Sequence, residues 1–315
     1  MKPTILALVG PTGSGKTKTA IRLCSELNAE IISMDSMQIY RGMDIGTAKP
    51  TLHERSAAVH HMIDIADPDQ LFTVSMYREM ACKVIEDILS RGKLPLLVGG
   101  TGLYLQALSY ELSLGENGAD PSLRKELHQI AQEPDGPEKL HARLREVDPI
   151  SAEKLHPNDV RRVIRALEIF MTSGKAKGDQ ENESRQEGPY HILVYGLSLP
   201  REQMYARINA RVDQMIADGL IDEVRGLLER GIAPNADGGA MQAIGYKEIV
   251  RALQGEISME TAIHLIKQGS RRYAKRQWTW FRHDDRTKWF DWAMYNTEGE
   301  LLNDLLFQIQ TDLNK

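Results

Sequence analysis

The stretch Gly10 to Thr17 reads GPTGSGKT. It follows a continuous apolar run, Thr4 to Val9 (TILALV), and opens a segment, Lys16 to Leu27, whose Ala20, Leu23, Cys24 and Leu27 recur at helical spacing. The apolar run suits a strand buried on both faces of a parallel sheet. A glycine turn between such a strand and a helix lets the backbone curl until several N–H groups converge on one anion, at the positive end of the helix. The pattern is G-x-x-x-x-G-K-[ST], in which Lys16 brings a point charge to phosphate oxygens and Thr17 a hydroxyl for Mg²⁺. Gly10, Pro11, Thr12, Gly13, Ser14, Gly15, Lys16 and Thr17 are therefore the candidate phosphate cradle, open to a nucleotide such as ATP or to another phosphorylated compound. Mg²⁺ is the expected cofactor.

Strand and helix alternate over the first hundred residues. Glu30 to Asp35 (EIISMD) is a second apolar strand, a weaker one is expected at His61 to Ile65, Met76 to Ser90 is helical, and Leu94 to Val98 (LPLLV) is a further strand. That last strand runs into Gly99-Gly100-Thr101-Gly102, and Leu103 to Leu108 resumes a helix. Repetition of this unit predicts an α/β fold, a P-loop NTPase-like parallel sheet flanked by helices. From Leu112 only helices are expected, at Pro121 to Ala131, Gly136 to Val147 and Asp159 to Ser173. Gly174 to Gly188 has no apolar residue larger than alanine and reads as a mobile linker. His191 to Leu199 (HILVYGLSL) is a strand again, and beyond Pro200 the chain reads as helix up to Phe281, including Arg201 to Arg230 and Ile257 to Phe281. The expected organisation is a catalytic core of residues 1–111 and 190–315 with a helical C-terminal region, carrying an all-helical insertion at 112–189.

A net charge of -5 argues against a wholly basic nucleic-acid coat protein, although it does not say where the charges lie. Cys24 and Cys82 are far apart and form no CxxC or Cys/His ligand spacing, so neither a disulfide framework nor a structural zinc site is expected, and a reducing cytoplasm fits. The N-terminal apolar run leads straight into the glycine loop, which makes it a strand and not a signal peptide. No apolar stretch approaches the roughly 20 residues of a membrane span.

Asp35 ends the second strand at the carboxyl edge of the sheet, where open α/β folds place their ligands. A turn-forming Asp, a Mg²⁺ ligand and a base that takes a proton from a nucleophile are all compatible with that position. The segments that follow choose among them. Asp35 to Pro50 reads DSMQIYRGMDIGTAKP and Gly99 to Leu108 reads GGTGLYLQAL. Together with the glycine loop, Asn158 to Glu168 (NDVRRVIRALE), Arg207 to Val224 (RINARVDQMIADGLIDEV), Gly239 to Glu248 (GAMQAIGYKE) and Gly269 to Lys288 (GSRRYAKRQWTWFRHDDRTK), they closely resemble the tRNA dimethylallyltransferases, also called tRNA isopentenyltransferases. The resemblance runs from the first strand to about Arg282, and the short C-terminal segment without cysteine matches the bacterial layout, which lacks the zinc finger of some eukaryotic relatives.

That resemblance implies transfer of a dimethylallyl group from dimethylallyl diphosphate to N6 of the adenosine 3′-adjacent to the anticodon of certain tRNAs. The loop would hold the prenyl diphosphate, whose departure requires its developing charge to be neutralised by amides, Lys16, Thr17 and Mg²⁺. Asp35 resembles the carboxylate that accepts the amine proton. By the same resemblance Thr101 hydrogen-bonds the departing diphosphate across the pocket from Lys16, and Arg211, more than Arg207, reaches back to it. Lys16, Asp35, Thr101 and Arg211 are thus the implied catalytic set. The implied tRNA-binding set is Asp35, Ser36, Met37, Gln38, Thr101, Arg124, Asp159, Arg161, Arg162, Gln242, Ile244, Gly245, Tyr246, Lys247, Arg272 and Arg276. Gln38 offers a donor and an acceptor to an adenine edge. Tyr246 offers a stacking face, and stacking of unpaired bases on aromatics is how single-stranded RNA is commonly read.

The segment from Gly269 is also the basic patch that the acidic total conceals. Arg271, Arg272, Lys275, Arg276, Arg282, Arg286 and Lys288 face only Asp284 and Asp285, interleaved with Tyr273, Trp278, Trp280 and Phe281, of which at least one tryptophan is expected in the core. The expected partners are a tRNA anticodon stem-loop and dimethylallyl diphosphate, with the protein a monomer and no membrane. Rival readings are a P-loop small-molecule kinase, a prenyltransferase acting on free AMP or ADP, and a non-catalytic RNA-binding module.

Overall fold

The computed structural model describes residues 2–111, 121–174, 176, 186–234 and 239–315. The chain forms two compact units, one of residues 1–109 and 189–315 and the other of residues 110–188.

The larger unit begins with β1 (Thr4–Val9), α1 (Lys16–Leu27), β2 (Ala29–Met34), α2 (Leu52–Ala57), β3 (His60–His61), α3 (Val74–Ser90), β4 (Leu94–Gly99) and α4 (Gly102–Ser109). The smaller unit holds α5 (Pro121–Ala131), α6 (Gly136–Val147), α7 (Pro149–Lys154) and α8 (Val160–Ser173). The chain then returns with β5 (His191–Ser198), α9 (Arg201–Ala217), α10 (Leu220–Glu229), α11 (Tyr246–Leu253), α12 (Met259–Arg282), β6 (Lys288–Asp291) and α13 (Glu298–Leu313). The predicted linker at 174–188 lies mostly outside the described residues.

One sheet in the order β3-β2-β4-β1-β5-β6 organises the larger unit, and every pairing in it is parallel. Alternate side chains of β1 serve opposite faces. Ile5, Ala7 and Val9 meet Tyr77, Ala81 and Ile85 of α3 with Phe281 of α12, whereas Leu6 and Leu8 meet Ala20 and Leu23 of α1 with Leu301, Leu305 and Ile309 of α13. Full burial on both faces is what the unbroken apolar runs of β1 and β4 require. A separate core joins the loop after β2 to the later helices, through Ile39, Met43, Leu220, Val224, Tyr246 and Ile249. The smaller unit closes on its own core of Leu127, Leu140, Leu144, Val163, Ile164 and Leu167.

Glu30, on β2, clamps the β3 edge of the sheet. Its carboxylate is nearly buried and accepts from Arg91 (2.5 and 2.7 Å), Lys93 (2.7 Å) and His61 of β3 (2.7 Å), drawing the end of α3 and two strands onto one anion. Those partners hold its carboxyl well below the usual carboxylate range, the Arg91 hydrogen bonds most of all.

The structure departs from the sequence expectations in three places. The strand expected at His61 to Ile65 is only His60–His61, because Met62 and Asp64 adopt φ of +62° and +56°, which no strand continues through. The helix expected from Pro200 to Phe281 divides at Gly219, whose φ of +102° starts a new helix axis, and gives way at 231–234 and 239–245 to turns and a 3₁₀ segment at Ala240–Gln242. Finally, β6 begins at the last residue of the basic segment and pairs with β5; four residues of mixed polarity carry too little period to announce a strand.

Candidate active site

Strand register assembles the site. Met34 pairs with Gly99, and Gly99 with Val9, so the residues that follow them, Asp35, Gly100 and Gly10, leave the sheet side by side at its carboxyl edge. Asp35 and the glycine loop thus stand two strand spacings apart, about 10 Å. A cavity of about 360 Å³ fills that gap. Gly13, Lys16 and Thr17 line one side and Asp35 another, while Arg211, Tyr273 and Gln277 close it from helices far along the chain.

Within the loop, Gly13 and Gly15 have φ of +83° and +91°, a conformation a side chain would strain. The Ser14 N–H closes a turn on the Pro11 carbonyl, but among the described residues no protein acceptor takes the amides of Gly13, Gly15, Lys16 and Thr17. The Ser14 hydroxyl is likewise buried without a partner. The result is a nest of donors for an anion. Lys16 Nζ donates to the Gly10 (2.9 Å) and Pro11 (2.8 Å) carbonyls beside it. Burial, then the nearby Arg211, pushes the Lys16 ammonium down to about 7 against the opposing pull of Asp35. An entering anion relieves that tension.

Asp35 forms a tight turn in which Oδ1 accepts from the amides of Met37 (2.8 Å) and Gln38 (3.3 Å). Among the described residues Oδ2 has no hydrogen-bond partner, and the side chain lines the cavity. Burial raises its carboxyl above the ordinary range, opposed by those two amides and by Lys16. A raised carboxylate makes a stronger base. Ser36 donates its amide to Thr101 Oγ1 (3.2 Å), and Thr101 N–H donates to the Met34 carbonyl (3.1 Å), so Thr101 staples the ends of β2 and β4, with its hydroxyl within reach of the Tyr273 hydroxyl. Arg211 lines the cavity with Nη1 3.4 Å from Thr12 Oγ1, whereas Arg207 lies over the Trp292 ring.

Two expectations for RNA contact need correcting. Gln38 already uses the donors it was to offer a base: Nε2 donates to the carbonyls of Thr47 (3.3 Å) and Ala48 (3.1 Å), while Oε1 accepts from Ser33 (3.1 Å) and keeps one lone pair. It therefore anchors the 47–48 segment against β2. Tyr246 offers no stacking face, because it is fully buried and its hydroxyl donates to Glu223 (2.6 Å), which also accepts the amides of Asp44, Ile45 and Gly46. Its ring packs so closely on Gly46 that a Cβ there would sit 2.5 Å away.

The remaining candidates fall into two groups. Gln242, Ile244, Lys247, Arg272 and Arg276 line a second cavity of about 720 Å³ in the larger unit, next to Gly245, whose φ of +105° begins α11. In the smaller unit, Arg124 grips the buried Glu168 (2.6 Å), Arg162 pairs with Asp159 (3.3 Å), and Arg161 is exposed on α8. Of the aromatics in the basic segment, Phe281 is buried, Trp278 packs on Trp289 with ring centroids 4.6 Å apart, and Trp280 is 46% exposed.

Sequence reasoning missed the residues that grip the loop from outside. Gln277 Oε1 accepts the Thr12 amide (2.8 Å), and Trp292 Nε1 donates to the Ser14 carbonyl (2.9 Å). Nothing local marks either residue; a glutamine on the apolar face of an otherwise basic helix was the one available signal.

Comparison with known proteins agrees with this architecture. The family model for isopentenyl transferase matches residues 3–64, and that for IPP transferase matches residues 38–284. A tRNA dimethylallyltransferase of Oceanobacillus iheyensis is 47% identical over 99% of this chain and 97% of its own, and one of Halalkalibacterium halodurans is 48% identical over 92% of each. Among solved structures, the full-length tRNA isopentenylpyrophosphate transferase of Bacillus halodurans superposes with a TM-score of 0.72 at 44% identity, covering 98% of this chain and 96% of that one. A eukaryotic dimethylallyltransferase acting on tRNA gives 0.75 at 31% identity, over 92% and 74%. With the glycine loop, the strand-end aspartate and the basic helix all inside the matched segments, the chain belongs to the IPP transferase family.

Proposed function

We infer that this enzyme transfers the dimethylallyl group of dimethylallyl diphosphate to N6 of the adenosine 3′-adjacent to the anticodon of certain tRNAs, releasing diphosphate. The observation that carries the reading is that an anion nest and an unpaired carboxylate oxygen, Asp35 Oδ2, line a single cavity from strand ends about 10 Å apart. The N6 lone pair forms a bond to C1 of the allyl group, the C1–O bond breaks, and the electron pair leaves on the diphosphate. The proton on N6 passes to Asp35. Adenine's amine is a poor nucleophile because its lone pair is delocalised into the ring, so a base in place of water contributes about 10²- to 10⁴-fold. On the other side, the loop amides, Lys16 and Arg211 oppose the charge that grows on the departing diphosphate. In this reading Thr101 hydrogen-bonds that leaving group, its hydroxyl turning from Tyr273 to do so.

The donor set suits a Mg²⁺ held partly by its substrate. Thr17 faces the cavity and Ser14 Oγ is buried without a partner, while among the described residues no group of three or more His, Cys, Asp or Glu side chains could hold a metal alone. Thr17 would hold the ion together with diphosphate oxygens, and its charge would further neutralise the leaving group.

Arg272, Arg276 and Lys247 support the RNA part of the reading, since exposed cations around a concave surface bind phosphates without reading sequence. Among the described residues no helix is long and apolar enough to cross a membrane. Incubation with Mg²⁺, labelled dimethylallyl diphosphate and either bulk tRNA or AMP tests the reading. Label on tRNA is expected; label on AMP, or ATP hydrolysis with no label transferred, overturns it.

A further inference from the structure

The floor of the anion nest is held by a residue with no place in the chemistry above. Gln277 is 5% exposed, on the inward face of α12, and its two amide atoms do different work. Oε1 accepts the Thr12 N–H at 2.8 Å. Nε2 abuts Gly100, where even a Cβ would come within 1.8 Å. One turn earlier on the same face, the Tyr273 hydroxyl lies within hydrogen-bonding reach of both Gln277 and Thr101. Gln277 therefore touches the two glycine turns that flank the cavity, the loop after β1 and the turn after β4. The adjoining face of that helix, about 100° round, carries Arg272 and Arg276, which line the second cavity.

We propose that Gln277 is a positioning residue for the donor diphosphate, fixing the Thr12 amide so that the free amides of Gly13, Gly15, Lys16 and Thr17 converge on one anion. Two features of the loop make such a support necessary. Pro11 has no N–H to anchor the loop, and the glycines at 13 and 15 leave its backbone freer than ordinary residues would. Thr12 thus carries the first backbone N–H after Gly10 by which the loop can be tied to another element, and Gln277 takes it. The tie runs to the helix whose neighbouring face, one residue round from Tyr273 and Gln277, carries Arg272 and Arg276, so the geometry of the nest is set by the element proposed to carry RNA. The inference rests on the proposed donor site, and its test is chosen so that the two can fail separately.

The probe is inorganic diphosphate with Mg²⁺, titrated calorimetrically into the full chain without tRNA. Gln277→Met keeps length and volume but accepts no strong hydrogen bond, leaving the Thr12 amide loose; diphosphate Kd is expected to rise tenfold or more. In steady state with tRNA, the same variant should raise KM for dimethylallyl diphosphate by a similar factor while KM for tRNA stays within about twofold. Gly100→Ala, which displaces the carboxamide from the other side, should weaken diphosphate in the same way. Unchanged diphosphate affinity in folded Gln277→Met overturns the proposal, as does an equal loss of diphosphate and tRNA affinity. Should the variants not fold, amide hydrogen exchange in the unaltered protein decides. A Thr12 amide protected well beyond that of Gly13 supports the tie, and equal exchange overturns it. Diphosphate binding that depends on Gln277 in a protein that labels no tRNA would leave this inference standing and sink the functional one.

Discussion

Replacing Asp35 by asparagine isolates one oxygen. In the native turn Oδ1 accepts from the amides of Met37 and Gln38, and an asparagine carbonyl oxygen can accept both. Oδ2, the atom facing the amine, becomes an NH₂ group that cannot take a proton. The expected loss is therefore that of a general base alone, about 10²- to 10⁴-fold in the single-turnover rate, or about 2.7 to 5.4 kcal/mol at 1.36 kcal/mol per decade. Diphosphate affinity should change little. Stability gives an independent check with a definite sign. Burial raises the Asp35 carboxyl, so the folded state holds this proton to a higher pH than the unfolded chain does. Ionised Asp35 consequently opposes folding as pH rises through that window, and Asp35→Asn should be at least as stable as the native protein above it. The rate of the native enzyme should fall as pH drops through the same raised value, and that limb should vanish in the variant. The assay is transfer of labelled dimethylallyl groups to excess tRNA from pH 5 to 9, with urea melts of both proteins. A rate within threefold of native, or a destabilised variant, refutes the assignment of Asp35 as base.

Other consequences are more local. Arg272→Ala and Arg276→Ala should each lower the slope of log K against log salt for tRNA binding by about 0.7 to 0.9, with diphosphate affinity unchanged; an unaltered slope removes that cavity from the RNA surface. Tyr246→Phe should cost about 0.5 to 1.5 kcal/mol in urea melts through its lost bond to Glu223, while tRNA affinity stays within twofold. Loss of tRNA binding without loss of stability would contradict its burial. Glu30→Gln breaks a nearly buried anion away from Arg91, Lys93 and His61 and should cost about 3 to 5 kcal/mol. Because the folded carboxyl is depressed, Glu30's contribution is complete above the unfolded value near 4.5 and is lost as pH falls through the folded one. The difference between the native protein and the Gln variant should therefore shrink on acidification, and a constant gap would refute the ionic account.

The chemistry was legible where it is local. A glycine turn between an apolar strand and a helix, and an aspartate at a strand end, announce themselves because β-strand burial and helix periodicity are written in neighbouring residues. Helix termini at Lys16, Pro121, Gly136 and Ser173 follow the same local rules. Short edge elements were not legible: β6 has four residues, and β3 ends at two backbones of positive φ that no composition rule indicates.

What the chain determined by itself was which side chains could do chemistry: a donor nest, a cation, a hydroxyl and a carboxylate, each specified by its immediate neighbours. Tertiary structure decided which of them meet and which are already occupied. Parallel register sets Asp35 two strands from Gly10, and packing spends Gln38 and Tyr246 on the protein's own backbone and Glu223. It also brings Gln277 and Trp292, 265 and 278 residues away, onto Thr12 and Ser14. The physical reason is that a hydrogen bond depends on separation in space, whereas periodicity and propensity depend on separation along the chain, and only folding converts one into the other.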